Sequence, residues 1–321
     1  MCPDLRKLFA FALTMTCLWA GAVTAQAYPD RPIRLIVPFA PGGGADIFAR
    51  QSAAKLTERL GQQFVVDNRG GSGGLIGMEM TAIANADGYT ILFSSASYVA
   101  LMAMRKSTHA KLSGLAPVSP VAAGPYAVAV HPSLPATLQG FLELARTKPG
   151  TMGYATPGVG GLTHLATELL LNLAKVRVTH VPYKGAGAAM PDLLANRTQL
   201  IITPPAPLMQ HFQAGRLRAL AVTGTARMAE LPDVPVAQDI VPGYVVQTWY
   251  GLFAPPGTPR VIIGTLNAAM SRALEDADMR KSFQSQGVEA VPGSVDALGK
   301  LVRADYERWS KVVRDNRLSA D

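Results

Sequence analysis

Short apolar segments alternate along the chain with longer segments in which apolar residues recur every three or four positions. Short runs of four to eight residues predict strands, and the longer pattern predicts amphipathic helices. Strands are predicted at residues 33–37, 64–67, 90–93, 126–130, 152–155, 178–181, 200–202, 217–222 and 251–253. Helices are predicted at residues 46–60, 77–84, 138–147, 163–173, 188–195, 208–214 and 258–286, with a last helix starting at Ser294. This alternation is typical of α/β proteins built on parallel sheets.

The last predicted helix carries an apolar stripe on one face. The stripe consists of Leu298, Leu301, Val302, Tyr306, Trp309 and Val313. Residues at this spacing share one helix face. We therefore interpret the stripe as packing against the core and not as a cofactor site.

Two apolar segments are predicted to connect two lobes. One, at 126–130, precedes His131-Pro132-Ser133, and the other, at 245–253, precedes Ala254-Pro255-Pro256-Gly257. A lobe inserted between them makes the first lobe discontinuous. We predict one lobe at 28–127 and 248–321 and a second at 128–247, so that the chain crosses a hinge twice.

The first 27 residues are typical of a secretory signal peptide. Arg6 and Lys7 precede an apolar run, and Ala25-Gln26-Ala27 is a small-x-small cleavage site. We expect cleavage after Ala27 and an exported protein, with an uncleaved membrane anchor and a lipid anchor at Cys17 as alternatives. Cys2 and Cys17 are the two cysteines of the sequence. The mature chain then has no disulfide, thiol nucleophile or cysteine metal site.

The charge balance is basic, with a formal net charge of +8. Removal of residues 1–27 takes Arg6, Lys7 and Asp4 with it and lowers this charge by one. Basic residues are scattered and aromatic residues are few, so the sequence lacks the surfaces that a nucleic-acid-binding protein uses. Mild attraction of small anions and a surplus without function both remain open.

Four junctions made of glycine or other small residues follow predicted strands and precede helices. They are residues 41–46, 94–96, 156–161 and 183–187. Ligands of open parallel sheets bind beyond the carboxyl ends of strands, where all four junctions are expected. The first, Gly42-Gly43-Gly44, opens a helix, and a helix start presents free N–H groups and partial positive charge to a carboxylate or phosphate. A glycine that only permits a tight turn is the alternative at each junction.

Motifs of catalysis and of metal or cofactor binding are not found. The first junction lacks the third glycine of a dinucleotide fingerprint, and Gly70-Gly71-Ser72-Gly73-Gly74 has no strand leading into it. No two histidines have the i, i+4 spacing of a helical zinc site, and His164 with Glu168 lacks a third ligand. We expect no enzyme, no metal and no cofactor.

Three charged or titratable residues next to the junctions are ambiguous. His164 is expected to be a helix-start or core residue. Lys184 either meets a ligand carboxylate or points into solvent. Asp46 either braces the glycine loop or pairs with a ligand amino group.

In combination, several segments resemble the extracytoplasmic solute receptors of the tripartite tricarboxylate transporter family, the Bug-type receptors. The similarity covers essentially the whole mature chain. The segments that carry it are residues 28–46, Val66-Asp67-Asn68-Arg69, Ala86-Asp87-Gly88-Tyr89-Thr90, His164-Leu165-Ala166, 180–185, 215–221, Leu231-Pro232-Asp233-Val234-Pro235 and 253–259.

The resemblance implies a two-lobed periplasmic binding protein of type II-like architecture, each lobe a mostly parallel sheet flanked by helices. It implies a monomer that captures a small carboxylate for membrane transporter subunits, with the ectodomain of a membrane sensor kinase as an alternative partner. A hydrolase or an oxidoreductase is the other class of function considered. The ligand-binding residues expected from the resemblance and the junctions are Phe39, Ala40, Pro41, Gly42, Gly43, Gly44, Ala45, Asp46, Ser95, Thr156, Gly158, Gly160, Thr163, His164, Tyr183, Lys184, Gly185 and Thr203.

One departure from the family pattern concerns the second lobe. Where family members commonly carry acidic residues around the strand at 200–202, this chain has Gln199 and Thr203-Pro204-Pro205. We expect a less acidic and more rigid floor, so the specificity of a relative does not transfer directly.

Overall fold

The computed structural model describes residues 28–318, which form two sheets flanked by helices. The predicted signal peptide and its cleavage site lie outside the described residues. The strands are β1 Ile33–Val37, β2 Phe64–Asn68, β3 Thr90–Ser95, β4 Ala116–Pro125, β5 Ala127–Val130, β6 Gly153–Thr156, β7 Thr179–Pro182, β8 Leu200–Thr203, β9 Arg218–Val222, β10 Gln247–Ala254 and β11 Glu289–Ala290. The α-helices are α1 Gly44–Leu60, α2 Leu75–Ala82, α3 Ser97–Met104, α4 Lys106–Leu112, α5 Leu138–Thr147, α6 Leu162–Ala174, α7 Ala186–Leu194, α8 Met209–Gln213, α9 Arg260–Leu274, α10 Ala277–Gln284 and α11 Val295–Asp315.

The first sheet has six strands in the order β11-β4-β10-β3-β1-β2. β1 pairs in parallel with β2 and β3, whereas β10 is antiparallel to both β3 and β4. β1, β2, β3 and β4 therefore run in one direction. Helices α1, α9 and α10 cover one face, where Phe48 and Phe283 contact each other with ring centroids 5.1 Å apart.

The second sheet has five strands in the order β7-β6-β8-β5-β9. β6 is parallel to β7 and β8, and β5 lies antiparallel between β8 and β9. Four of the five strands thus share one direction. The predicted fold class, an α/β protein with two sheets flanked by helices, is confirmed, but both sheets are mixed: five of the nine strand pairs within the described residues are antiparallel.

The chain passes between the two sheets twice. β4 ends at Pro125 and β5 begins at Ala127, while β9 ends at Val222 and the chain returns through β10 from Gln247. The predicted lobe boundaries at 127/128 and 247/248 lie near these two passages and stay a prediction.

Sequence analysis missed β4 because prolines interrupt it. Pro117 and Pro120 lack the N–H that a strand donates, and they lie opposite Phe253 and Gly251, where the register to β10 shifts. Proline is tolerated at such bulges and at open edges. β11 pairs only with Ala122 and Ala123, so the other edge of β4 at the two prolines carries no ladder. The short helices α3 and α4 were also missed.

The predicted helix at 258–286 is wrong, because the structure has two helices there. α9 ends at Leu274, and Asp276 caps α10 by accepting hydrogen bonds from the N–H groups of Asp278 and Met279 at 3.0 and 3.1 Å. Asp276 also accepts a 2.9 Å bond from Lys55 of α1. An aspartate that satisfies the N–H groups of a new helix start competes with continuation of the old helix.

The C-terminal helix α11 packs largely as its apolar stripe predicts. Leu298 and Trp309 are fully buried, but Leu301 is 36% exposed and lies outside the packed face. Ser294 caps the helix by accepting a 3.1 Å bond from the Ala297 N–H. Within residues 28–318, no helix combines the length and the apolar character that a membrane span requires.

Candidate functional site

A small cavity lies where four helices begin. Its lining includes Gly44 of α1, Ser97 of α3, Thr163 of α6 and Ala186 of α7, each the first or second residue of its helix. The cavity has a volume of about 30 Å³. It is lined by Phe39, Gly43, Gly44, Ala45, Ser95, Ser97, Tyr126, Pro157, Thr163, Ala186, Thr203, Pro204 and Tyr250. Because each helix start carries partial positive charge, the four together favour an anion.

The cavity combines that positive field with a neutral lining. Its side chains are apolar or carry hydroxyls, and none of the thirteen lining residues is charged. Ser97 Oγ accepts a 3.1 Å bond from the Leu162 N–H, and Ser95 Oγ accepts a 3.3 Å bond from the Ser97 N–H. An anion bound here is held by dipoles and hydroxyls, whereas an ammonium group meets no carboxylate.

Asp46 braces the first glycine loop and faces away from the cavity. Its carboxylate accepts hydrogen bonds from the Gly42 N–H at 3.0 Å, Arg50 at 3.1 Å and Asn68 at 3.0 Å. Burial alone raises the pKa of Asp46, but these bonds outweigh burial and lower it. Gly42 has a φ of +81°, a conformation that glycine adopts without strain. Of the two roles considered for Asp46, the structure supports the bracing role.

Seven of the residues predicted from sequence line the cavity. They are Phe39, Gly43, Gly44, Ala45, Ser95, Thr163 and Thr203. The other predicted residues lie around the cavity but outside its lining, in loops or at the ends of strands and helices: Ala40, Pro41, Gly42, Asp46, Thr156, Gly158, Gly160, His164, Tyr183, Lys184 and Gly185. Sequence reasoning missed Ser97, Tyr126, Pro157, Ala186, Pro204 and Tyr250. Pro157 and Ala186 lie within predicted junctions, so the sequence could have indicated them. Tyr126 precedes β5 and Tyr250 lies within β10, and neither position carries such a signal.

Backbone of one lobe touches backbone of the other around the cavity. The Ala40 N–H donates a 3.0 Å bond to the Lys184 carbonyl oxygen. A Cβ built on Gly187 would lie 2.1 Å from the Pro41 carbonyl oxygen, and one on Gly158 would lie 2.5 Å from the Gly73 nitrogen. The loops that follow β1 and β7 are thus in direct contact, and the cleft is closed.

Lys184 contributes to this contact through its main chain. Its side chain is exposed and lies outside the cavity lining, while its carbonyl oxygen accepts the bond from Ala40. Of the two roles considered for this ammonium group, the structure supports the one that points into solvent.

A stack of three rings supports the loop between β6 and α6. His164 and His180 stack with centroids 4.1 Å apart, and Tyr154 lies on His180 at 4.8 Å. His164 Nδ1 accepts a 3.2 Å bond from the Gly160 N–H, and His180 Nε2 lies 2.6 Å from Thr156 Oγ1. The Tyr154 hydroxyl donates to Glu168. His164 is a buried helix-start residue, as its sequence position indicates, and it positions the loop.

Both histidines are neutral at physiological pH. Burial, the adjacent His180 and the charge of Arg105 lower the pKa of His164 to about 4, and burial lowers that of His180 to about 4. Because the pKa is near 6.5 in the unfolded chain, unfolding takes up protons below that pH. The two histidines therefore leave the free energy of unfolding unchanged above about pH 6.5 and lower it as the pH falls toward 4.

The stability of the protein is expected to fall as the pH is lowered from 7 to 5. The shift of His164 alone corresponds to about 2 kcal/mol of unfolding free energy over this range. Urea unfolding at several pH values measures it. His164→Asn removes the titration and keeps an acceptor for the Gly160 N–H, so its pH dependence should be flatter. An unchanged slope in this variant would contradict the assignment.

Comparison with known families gives a match over most of the chain. The family described as "Tripartite tricarboxylate transporter family receptor" (TctC) matches residues 48–318. Protein BugT of Bordetella pertussis is 36% identical over 92% of this chain and 92% of its own length.

Solved structures with the same architecture contain carboxylates. "R. palustris Rpa4515 with adipate" has a TM-score of 0.87 and 33% identity, covering 91% of this chain and 99% of its own. "MatC (Rpa3494) from Rhodopseudomonas palustris with bound malate" has a TM-score of 0.86 and 29% identity, covering 89% of this chain and 100% of its own. These two neighbours bind ligands of the chemical class that the helix starts favour.

Proposed function

Because the chain belongs to the tripartite tricarboxylate transporter family of receptors, we propose that it captures a small, amine-free carboxylate in the cavity between its lobes. The observation that carries this proposal is the convergence of four helix starts on a cavity with no charged side chain in its lining. The adipate and malate bound to two structural neighbours support the carboxylate class.

The ligand closes the cleft in this proposal. Residues 28–127 with 248–321 form one lobe and residues 128–247 the other, and they rotate about the two passages near Pro125 and Gln247. Hinge closure around a ligand is the usual mechanism of two-lobed binding proteins. Carboxylate oxygens bound by helix starts of both lobes hold the closed form.

Membrane transporter subunits are the partners that follow from the family, and the closed, liganded receptor is the form they receive. Presentation of the same form to a membrane sensor kinase is the second partner role. We further propose that the protein is a monomer, that it is exported to the periplasm with cleavage after Ala27, and that it turns over no substrate. No pair of nucleophile and base lines the cavity within the described residues.

A thermal-shift screen over mono-, di- and tricarboxylates, amino acids and aromatic acids tests the function. A carboxylate present at 100 times its dissociation constant should add about 2.7 kcal/mol to the unfolding free energy. The screen should show this stabilisation with at least one carboxylate. Stabilisation by sugars or amines alone, with none by any carboxylate, would refute the proposal.

A further inference from the structure

Two buried hydroxyls in the cavity lining lack a hydrogen-bond partner. Tyr250 is 1% exposed and Thr203 is fully buried, and neither hydroxyl has a partner among residues 28–318. Both residues line the cavity. Tyr250 lies on β10 of the first sheet and Thr203 ends β8 of the second, so the two lobes contribute one hydroxyl each.

An unpartnered buried hydroxyl is costly, because it gives up hydrogen bonds to water on folding. Ring packing does not require the Tyr250 hydroxyl, since a phenylalanine keeps the contacts of this ring with Phe48 and Phe93. The β-branched shape of Thr203 is matched by valine. Neither strand formation nor core packing therefore explains why these two positions carry a hydroxyl.

Tyr250 and the residue that follows Thr203 lie close to the start of α1. A Cβ built on Gly44 would lie 2.8 Å from the Tyr250 hydroxyl oxygen and 3.0 Å from Cβ of Pro204, the residue after Thr203. Tyr250 and Pro204 therefore lie beside Gly44, the first residue of α1 and part of the cavity lining. A carboxylate bound at this helix start lies within reach of the Tyr250 hydroxyl.

We propose that Tyr250 and Thr203 are ligand-binding residues whose hydroxyls hydrogen bond the oxygens of the carboxylate bound at the start of α1. The inference rests on the proposed function and adds to it the side chains that recognise the ligand. Because the hydroxyls come from different lobes, a ligand that satisfies both stabilises the closed form. Neutral hydroxyls bind a carboxylate without the strong desolvation that an arginine or lysine partner would require.

The test compares Tyr250→Phe and Thr203→Val with two controls. Tyr244→Phe removes another buried, unpartnered phenol, and Ser94→Ala removes a buried, unpartnered serine hydroxyl; neither residue lines the cavity. Affinities for succinate, malate and adipate are measured by titration calorimetry. Tyr250→Phe and Thr203→Val should each weaken binding about 10- to 100-fold, as expected for a hydrogen bond to a charged group, and the controls should stay within about twofold.

Thermal unfolding without ligand separates a binding effect from a folding effect. All four variants should melt at or above the temperature of the parent protein, because each loses only an unsatisfied hydroxyl. Parent-like affinity in both cavity variants, or an equal loss in Tyr244→Phe, would overturn the inference and leave the receptor function intact. Failure of every carboxylate to bind the parent protein would refute the proposed function and this inference with it.

Discussion

Replacing Gly187 by alanine is expected to weaken carboxylate binding at least about 100-fold without destabilising the fold. Gly187 is the second residue of α7 and has no positive φ, so alanine fits its own helix and can gain up to about 1 kcal/mol there. The added methyl, however, would lie 2.1 Å from the Pro41 carbonyl oxygen and 3.2 Å from the Gly42 carbonyl carbon. These are backbone atoms of the facing loop, and they cannot turn aside as a flexible side chain can. The variant should fold normally and fail to close, and a receptor that cannot reach its binding-competent state binds weakly.

Calorimetry with the best carboxylate of the screen measures the loss, and small-angle scattering measures the closure. The parent protein should have the compact, closed form with ligand, whereas Gly187→Ala should be more extended under the same conditions. Gly264→Ala is the matched control, because Gly264 lies within α9, has no positive φ, and has nothing within 4 Å of its built Cβ. Parent-like affinity and compactness in Gly187→Ala would show that closure does not need the backbone contact between these loops.

Aspartate is expected to bind at least about 100-fold more weakly than malate or succinate. The three compounds share a four-carbon dicarboxylate frame, and aspartate carries an ammonium group where malate carries a hydroxyl and succinate a hydrogen. An ammonium in this cavity meets four helix starts of like sign and no carboxylate, since Asp46 is committed to Gly42, Arg50 and Asn68. The hydration free energy that the ammonium group loses on leaving water is therefore not regained through contacts with the protein.

Competition titrations of aspartate against malate and succinate give the ratio directly. Glutamate and its amine-free counterpart glutarate form a second pair of the same design, which separates the effect of charge from that of length. Aspartate affinity equal to that of malate would mean that the ammonium finds a carboxylate when the ligand is bound, and the assignment of Asp46 as a loop brace would then be wrong.

The loop that the first lobe contributes to the site was easier to predict from sequence than the loop of the second lobe. The loop after β1 could be located from the sequence, because the strand at 33–37 and three glycines at a helix start are local features. Of its eight predicted residues, Phe39, Gly43, Gly44 and Ala45 line the cavity and the other four do not. Lys184 has equally suggestive neighbours, yet its side chain is exposed. The direction of a side chain in a turn depends on the loop that packs against the turn. For Lys184 that loop contains Ala40, which lies far away in the sequence.

Elements with strong local periodicity were predictable, and those with conflicting local signals were not. β1 and α5 have the predicted bounds, since a short, mainly apolar run and a regular amphipathic pattern need no tertiary help. β4 contains prolines that argue against a strand, and its pairing with β10, and at Ala122 and Ala123 with β11, stabilises it. The helix break at Asp276 likewise depends on a cap that competes with a continuous helical pattern.

By itself, the sequence determined the α/β class, the order of most elements, the glycine-bearing helix starts and the family resemblance, because these follow from local periodicity and short motifs. The tertiary structure decided which of those helix starts meet, and that Tyr250 joins them together with Thr203, a residue already expected from the family resemblance and the junctions. These two residues are in strands of different sheets, and no spacing relates them. Their proximity to one cavity results from strand order and from the closure of one lobe on the other, where the absence of a Cβ at Gly187 allows two backbones to touch.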